Sequence, residues 1–183
     1  MQQNRSVIQA FEEEFVSIRA TADAAISQLD ADQIRLVQHE RTNSVIIIMK
    51  HMAGNFCSRF TNFLTEDGEK SWRHRDTEFV DDFSPSESGR QEAVERWNNG
   101  WSCVLDALAG LTNDHVDTVV TIRGQPLTVA RALARSVAHA GHHTGQIVWL
   151  ARSIVGHENW NTISIPRGKS DEYNQSLGYT PKH

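Results

Sequence analysis

The chain has 183 residues, of which 39% are hydrophobic and 22% are charged. This composition is ordinary for a water-soluble protein, and the length predicts one domain over residues 1–183 with an irregular tail over 157–183. The net charge of −5 argues against nucleic acid as a partner, because such proteins normally carry a basic patch. The longest apolar run, at 45–49, is too short to cross a membrane, and the first residues lack a signal-peptide pattern. We therefore expect a cytoplasmic protein.

The first half of the chain is typical of two amphipathic helices. Apolar side chains recur at steps of three and four over residues 6–29, which predicts the first helix. A polar connection follows over 30–41. Asn43 or Ser44 can cap a second helix, which we expect to reach about Leu64 because the same spacing continues that far.

The second helix carries a line of polar residues beside its apolar stripe. His51 lies at the edge of the stripe, and Asn55 and Arg59 follow at intervals of one turn. A single histidine in such a place is more often a hydrogen-bonded core residue than a metal ligand. His51 becomes a candidate metal ligand only if other histidines face it.

Residues 66–83 show no regular period, and a loop of this length in a small domain is often a lid or a binding loop. It contains Trp72, Arg73 and Arg75, which could contact an anionic or aromatic ligand. The alternative is a loop that is pinned to the protein by its tryptophan. The sequence leaves both interpretations open.

A third helix is predicted after this loop. Ser84 can cap it, Pro85 suits its first position, and Glu87 can complete a capping box. Its apolar stripe includes Trp97 and Trp101, which we expect in the core rather than stacked on a ligand.

The sequence next predicts a small β-hairpin and a fourth long helix. Residues 118–122 alternate and are rich in β-branched side chains, and a return strand begins after the turn at Arg123 and Gly124. Thr128 can cap the fourth helix, and Gly156 is a typical residue to end it.

The fourth helix carries the strongest chemical signal. His139 and His143 stand four residues apart, so a helix presents both imidazoles on one face, where they can bind one transition-metal ion. Because the chain has nine histidines, one such pair is weak evidence, and two hydrogen-bonded core histidines are the alternative. Ala140 stands where a zinc peptidase helix carries its glutamate base, so we expect no peptide hydrolysis of that type.

Cys57 and Cys103 are the two cysteines of the chain. Both fall within predicted helices, and a domain of this size does not need a disulfide for stability. We expect two buried, reduced thiols.

The order of these elements, His51 on the second helix and the pattern His139-x-x-x-His143-x-Gly145-Gln146 on the fourth together resemble the DinB-like superfamily of metal-dependent helical bundles. The segments 51–55 and 160–170 resemble an uncharacterised branch of it. The resemblance implies an all-α fold, a four-helix bundle of up-down type with a small β-hairpin before the last long helix. It also implies that His51, His139 and His143 are metal ligands and that the protein is a homodimer.

The activity expected from this resemblance is metal-dependent chemistry on a small molecule, of the kind that a thiol transferase performs with a low-molecular-weight thiol. Three imidazoles suit Zn, Ni or Fe equally, so the identity of the divalent metal stays open. Asn55 and Gln146 are candidates for orienting the ligands or the substrate. The alternatives are a non-catalytic metal-binding or stress-response bundle and a helical scaffold without metal.

Overall fold

The structure, a computed structural model, describes residues 5–180. The first four residues, part of the segment without a signal-peptide pattern, and the last three of the tail lie outside the described residues. The helices are α1 (Ser6–Ile26), α2 (Val45–Phe60), α3 (Glu87–Ala109), α4 (Val129–Val155) and the short α5 (Ser170–Ser176), and the strands are β1 (Val119–Ile122) and β2 (Gln125–Thr128). Over residues 5–180, no helix combines the length and the apolar character that crossing a membrane would require.

The predicted, mostly helical fold with a hairpin before the last long helix is confirmed. α2 packs along α3 and α1 packs along α4, and the four helices share one core. Trp97 and Trp101 are 2% and 0% exposed, as expected, and Trp101 meets Phe15 and Phe56 at ring-centroid distances of 6.3 and 4.7 Å. Gly100 lets α3 approach α2 closely, because a Cβ there would lie 2.6 Å from the Ala53 Cα.

α2 is buried on almost every side, since α3 covers one face and the loop over 66–83 covers another. Lys50 fastens this loop. Its ammonium donates to the carbonyl oxygens of Thr77 and Val80 at 2.8 and 2.9 Å and to Asp82 at 2.7 Å. The idea that the tryptophan pins the loop is wrong, because Trp72 is 52% exposed.

Two helix ends differ from the sequence prediction. α1 stops at Ile26, three residues earlier than expected. α2 stops at Phe60 rather than at about Leu64, and Asn62 then adopts a left-handed φ of 50° that no α-helix contains. Phe63 stays buried although it lies outside the helix, which explains why its spacing suggested a longer one.

The third helix begins later than expected. Its N-cap is Ser86, whose side chain accepts a hydrogen bond from the Gly89 backbone N–H, and Ser84 lies outside the helix. In α4, by contrast, both predicted ends are confirmed. Thr128 accepts from the Arg131 N–H, and Gly156 ends the helix with a φ of 81°.

The hairpin pairs β1 and β2 in antiparallel register, with Val120 opposite Leu127 and Thr121 opposite Pro126. Residues Val120 and Ile122 point into the core, whereas β2 is largely exposed. A proline in β2 is tolerated because the sheet has only this one pairing. The hairpin places its turn beside residues 67–69 of the loop that covers α2.

Cys57 and Cys103 are free thiols, as expected, but they are half-buried rather than buried. The Cys103 thiol donates to the Cys57 sulfur across 3.1 Å. Burial, together with this hydrogen bond, raises the pKa of Cys57 to about 12. Cys57 is therefore a neutral thiol near pH 7, which does not suit a nucleophile.

Candidate metal centre

Three histidines from two helices meet at one point. α2 supplies His51, and α4 supplies His139 and His143, which lie one turn apart. One ring nitrogen from each lies within 4.8 Å of the other two. Nitrogen ligands of a tetrahedral zinc ion stand about 3.4 Å apart. Small side-chain movements would therefore bring the three nitrogens to the spacing that an ion requires.

His51 is held by a buried carboxylate. Its Nδ1 donates to Glu78 Oε2 across 2.8 Å, so the proton is on Nδ1 and Nε2 is left for an ion. Arg73 donates to both oxygens of Glu78 at 2.8 and 2.9 Å. Burial raises the pKa of Glu78, but the hydrogen bonds from His51 and Arg73 outweigh it and lower that pKa. A carboxylate behind a histidine is the usual arrangement for a metal ligand of fixed orientation.

The close contact between Glu78 and α2 depends on Gly54. A Cβ at this position would overlap the Glu78 carboxylate. Glycine weakens a helix interior by about 1 kcal/mol relative to alanine, so its presence within α2 calls for a packing reason. The reason is that the Glu78 side chain occupies this space, where it accepts the hydrogen bond from His51.

His143 is oriented from its own helix. Its Nδ1 lies 2.8 Å from Gln146 Oε1, which accepts, so Nε2 of His143 is free for an ion. His139 Nδ1 is buried and has no partner among residues 5–180. A buried nitrogen without a hydrogen bond is costly, and a metal ion would supply the missing partner.

His139 and His143 are neutral near pH 7. Burial, assisted by the charges of His143, His51, Arg59 and Arg73, lowers the pKa of His139 to about 3. Burial also lowers the pKa of His143. Because metal ligands must be unprotonated, both rings are ready to bind without losing a proton. The cluster of three histidines could hold a metal ion, and its residues fit that use.

A cavity of about 180 Å³ opens beside His51 and His139. Asn55 lines it, at the position predicted to orient a ligand or substrate, and Asn55 lies half-buried one turn from His51. The cavity wall also contains five arginines: Arg59, Arg73, Arg75, Arg123 and Arg135.

One carboxylate serves three of these arginines. Glu69 accepts from Arg59 at 2.8 Å and from Arg73 and Arg123 at 3.3 Å each. Burial lowers the pKa of Arg59, and the positive charges of Arg73 and Arg123 lower it further against the pull of Glu69. The cavity is therefore crowded with positive charge.

The sequence missed Glu78 and Phe79 as parts of the site. Phe79 stacks on His51 with ring centroids 4.9 Å apart. Both residues follow His51 by more than twenty positions in a stretch without periodicity, so no pattern connects them to it. The glycine within α2 was the one available signal, and it indicates a close approach without naming the partner.

A comparison with family models matches residues 2–169 to the family described as "Protein of unknown function (DUF1572)". The chain belongs to this family. Comparison with curated proteins and with solved structures gives no match. Family membership therefore covers almost the whole chain and assigns no activity, so the case for function rests on the site.

Proposed function

We propose that this member of the DUF1572 family is a metal-dependent enzyme that acts on a small molecule. Its ion would be held by His51, His139 and His143. The observation that carries the proposal is the buried Nδ1 of His139, which has no hydrogen-bond partner among residues 5–180. In the two neighbouring histidines, His51 and His143, Nδ1 is hydrogen-bonded to a side chain and Nε2 is left for an ion. Three imidazoles leave coordination positions open for a substrate, whereas a structural zinc is normally closed by four protein ligands.

The protein's own residues prepare the site for this chemistry. Glu78 fixes the His51 ring and Gln146 fixes the His143 ring, and Asn55 lines the cavity where a substrate would lie. A bound divalent ion would supply a Lewis acid that polarises a carbonyl or lowers the pKa of a bound thiol or water. Ala140 leaves α4 without the glutamate of a zinc peptidase, so we do not propose peptide hydrolysis.

The finer features of the proposal come from the DinB-like resemblance. They are a four-helix bundle of up-down type, transfer of a low-molecular-weight thiol and a homodimer. The further proposals, a cytoplasmic location and no nucleic-acid partner, come instead from the sequence of the first residues and from the net charge of −5. The shared core of α1 to α4 and the hairpin before α4 support the bundle. The imidazole set supports Zn, Ni or Fe without distinguishing them.

A non-catalytic metal-binding role is the second candidate. It is favoured by the burial of Glu78 and Arg73, whose side chains are 8% and 2% exposed and tie His51 to the loop over 66–83. An ion at such a site would stabilise the loop and the fold. This role predicts that metal raises the melting temperature while no thiol or electrophile is consumed.

The test is metal content by elemental analysis after purification without chelators. We expect about one transition-metal ion per chain in the wild type and none in the double variant His139→Ala/His143→Ala. His142→Ala is the matched control, because His142 is next in sequence to His143 but is exposed. A wild type that takes up no Zn, Ni or Fe, even when the ion is added, would refute the proposal.

Activity is tested on the same three proteins. Small thiols are supplied with an electrophile, and thiol loss is followed with and without added metal. Consumption by the wild type and the His142→Ala variant, but not by the double variant, would support an enzyme. One bound ion with no consumption of any thiol or hydrolysable ester would favour the non-catalytic role.

A further inference from the structure

The cavity beside the histidine cluster holds more positive charge than its surroundings neutralise. Its five guanidinium groups are accompanied by three carboxylates within ion-pair distance, those of Glu69, Glu78 and Asp76. The Asp76 contact with Arg75 is long, at 3.9 Å, and water screens it because Asp76 is fully exposed and Arg75 half exposed. The protein as a whole carries a net charge of −5, which makes this local excess unusual.

Two of the arginines are available to a ligand. The Arg135 side chain makes no ion pair or hydrogen bond with any residue from 5 to 180, and it is exposed at the cavity rim. It lies one turn before His139 on α4, so both side chains point to the same side. Arg75 lies over the Phe79 ring at 4.9 Å, and the same ring stacks on His51 with centroids 4.9 Å apart.

A third arginine occupies an unfavourable backbone position. Arg123 and Gly124 form the hairpin turn with φ values of 55° and 69°, where asparagine and glycine are the preferred pair. Asp67 holds this turn by accepting from the backbone N–H groups of Arg123 and Gly124 at 2.8 Å each. A residue other than glycine or asparagine in this conformation is strained, and such strain is concentrated at functional sites.

We propose that this cavity binds an oxyanion of the small-molecule substrate, a carboxylate or a phosphate, between the guanidinium groups and the ion at the histidines. The role of the ion in this inference rests on the proposed function, whereas the role of the arginines rests on the cavity itself. Planar guanidinium groups pair with carboxylate and phosphate oxygens through paired hydrogen bonds. A divalent ion at the histidines would add to the positive charge of the cavity. An anion that contacts both the ion and the guanidinium groups would offset that charge.

The size of the cavity limits the ligand. At about 180 Å³ the cavity has room for a small acid or a phosphate ester group. Asn55 adds a neutral donor and acceptor on the same wall, which suits a carbonyl or hydroxyl next to the anionic group. The substrate class is therefore a small, polar, negatively charged molecule.

Binding is measured by isothermal titration calorimetry on the chelator-treated protein and on the zinc-loaded protein. The probes are inorganic phosphate, succinate and the neutral dimethyl succinate. We expect phosphate or succinate to bind and the neutral ester not to bind. Arg135→Gln and Arg75→Gln should each weaken binding about tenfold, the usual loss for a charge-assisted hydrogen bond.

Arg152→Gln is the matched control, since Arg152 is exposed on the same helix about 25 Å from Arg135. Equal affinity across all four proteins, or equal binding of succinate and its ester, would overturn the inference. Zinc uptake without oxyanion binding would overturn it and leave the metal-dependent function standing. Oxyanion binding by a protein that takes up no metal would refute the metal-dependent function and leave the binding of an oxyanion by the arginines standing. Tighter binding of phosphate or of succinate would show whether the oxyanion of the substrate is a phosphate or a carboxylate.

Arg123→Asn gives a test that a structural role cannot imitate. Asparagine is better suited to the turn, so the melting temperature should rise by about 2 °C. The affinity for the oxyanion should nevertheless fall about threefold, because one partly screened charge is lost. A lower melting temperature with unchanged affinity would show that Arg123 serves only the fold and would contradict its place in the site.

Discussion

His51 of α2 and His143 of α4 are oriented in different ways. His51 is 6% exposed at its side chain and donates to Glu78, which is 8% exposed and paired with Arg73. His143 is half-buried and bonds to the exposed Gln146, a neutral residue three positions along the same helix. One ligand is thus oriented by a buried network from another element, and the other by its own helix.

The two sides of the site depend on different parts of the chain. The α4 pair follows from helix geometry alone, so it tolerates changes elsewhere in the chain. The His51 side exists only when the loop over 66–83 is packed on α2. We therefore expect changes on the His51 side to affect folding and metal binding together, and changes on the His143 side to affect metal binding alone.

The largest effect is expected from Glu78→Gln. It leaves Arg73 buried with a weakened partner, and breaking a buried charged pair costs about 3–5 kcal/mol of unfolding free energy. Denaturant unfolding of the metal-free protein measures this loss. Glu92→Gln is the matched control, because its pair with Arg96 is about half exposed and should contribute less than about 1 kcal/mol. Similar losses of unfolding free energy in the two variants would show that the buried network stabilises the fold no more than an exposed ion pair does.

A smaller effect is expected at Gly54. Gly54→Ala pushes against the Glu78 carboxylate and should destabilise the fold by about 1–3 kcal/mol, as overpacking does. Gly141→Ala on α4 meets nothing within 4 Å and should instead stabilise the fold by about 0.5–1 kcal/mol. Thermal unfolding of both variants measures the contrast. Changes of the same sign would mean that Gly54 does not make room for Glu78.

The smallest effect on stability is expected from Gln146→Ala. The residue is exposed, so the unfolding free energy should change by less than about 0.5 kcal/mol. Zinc affinity should still fall about tenfold, because His143 loses the group that orients it. Competition with a chromophoric chelator measures this. An unchanged zinc affinity would remove Gln146 from the site.

Much of the fold could be predicted because it is encoded locally. The spacing of apolar residues located α1, α2, α3 and α4, and Thr128 and Gly156 marked both ends of α4. The errors lie where local signals compete. The periodicity through Phe63 suggested a longer α2, but the backbone turns at Asn62, so Phe63 reaches the core from outside the helix.

The histidines of the candidate site were predictable where they follow from helix periodicity, and the composition of the loop marked Arg73 and Arg75 as possible contacts of an anionic ligand. The pair His139 and His143 is visible in sequence, and His51 joined it through the family resemblance. Glu78 and the arginine cavity depend on how the loop folds back over α2, which Lys50 determines through contacts with backbone carbonyl groups. Such contacts leave no pattern in the sequence, because any residue supplies a carbonyl.

The distribution of the three histidines along the chain also bears on how an ion would be acquired. His139 and His143 come together as soon as one turn of α4 forms, whereas His51 must be brought in from a distant helix. Closing such a long stretch of chain carries an entropic cost that a single turn does not. We therefore expect a nascent α4 to hold a hydrated ion loosely through two imidazoles, and docking of α2 to add the third and tighten binding. Metal supply during synthesis would then influence how quickly the chain reaches its native state.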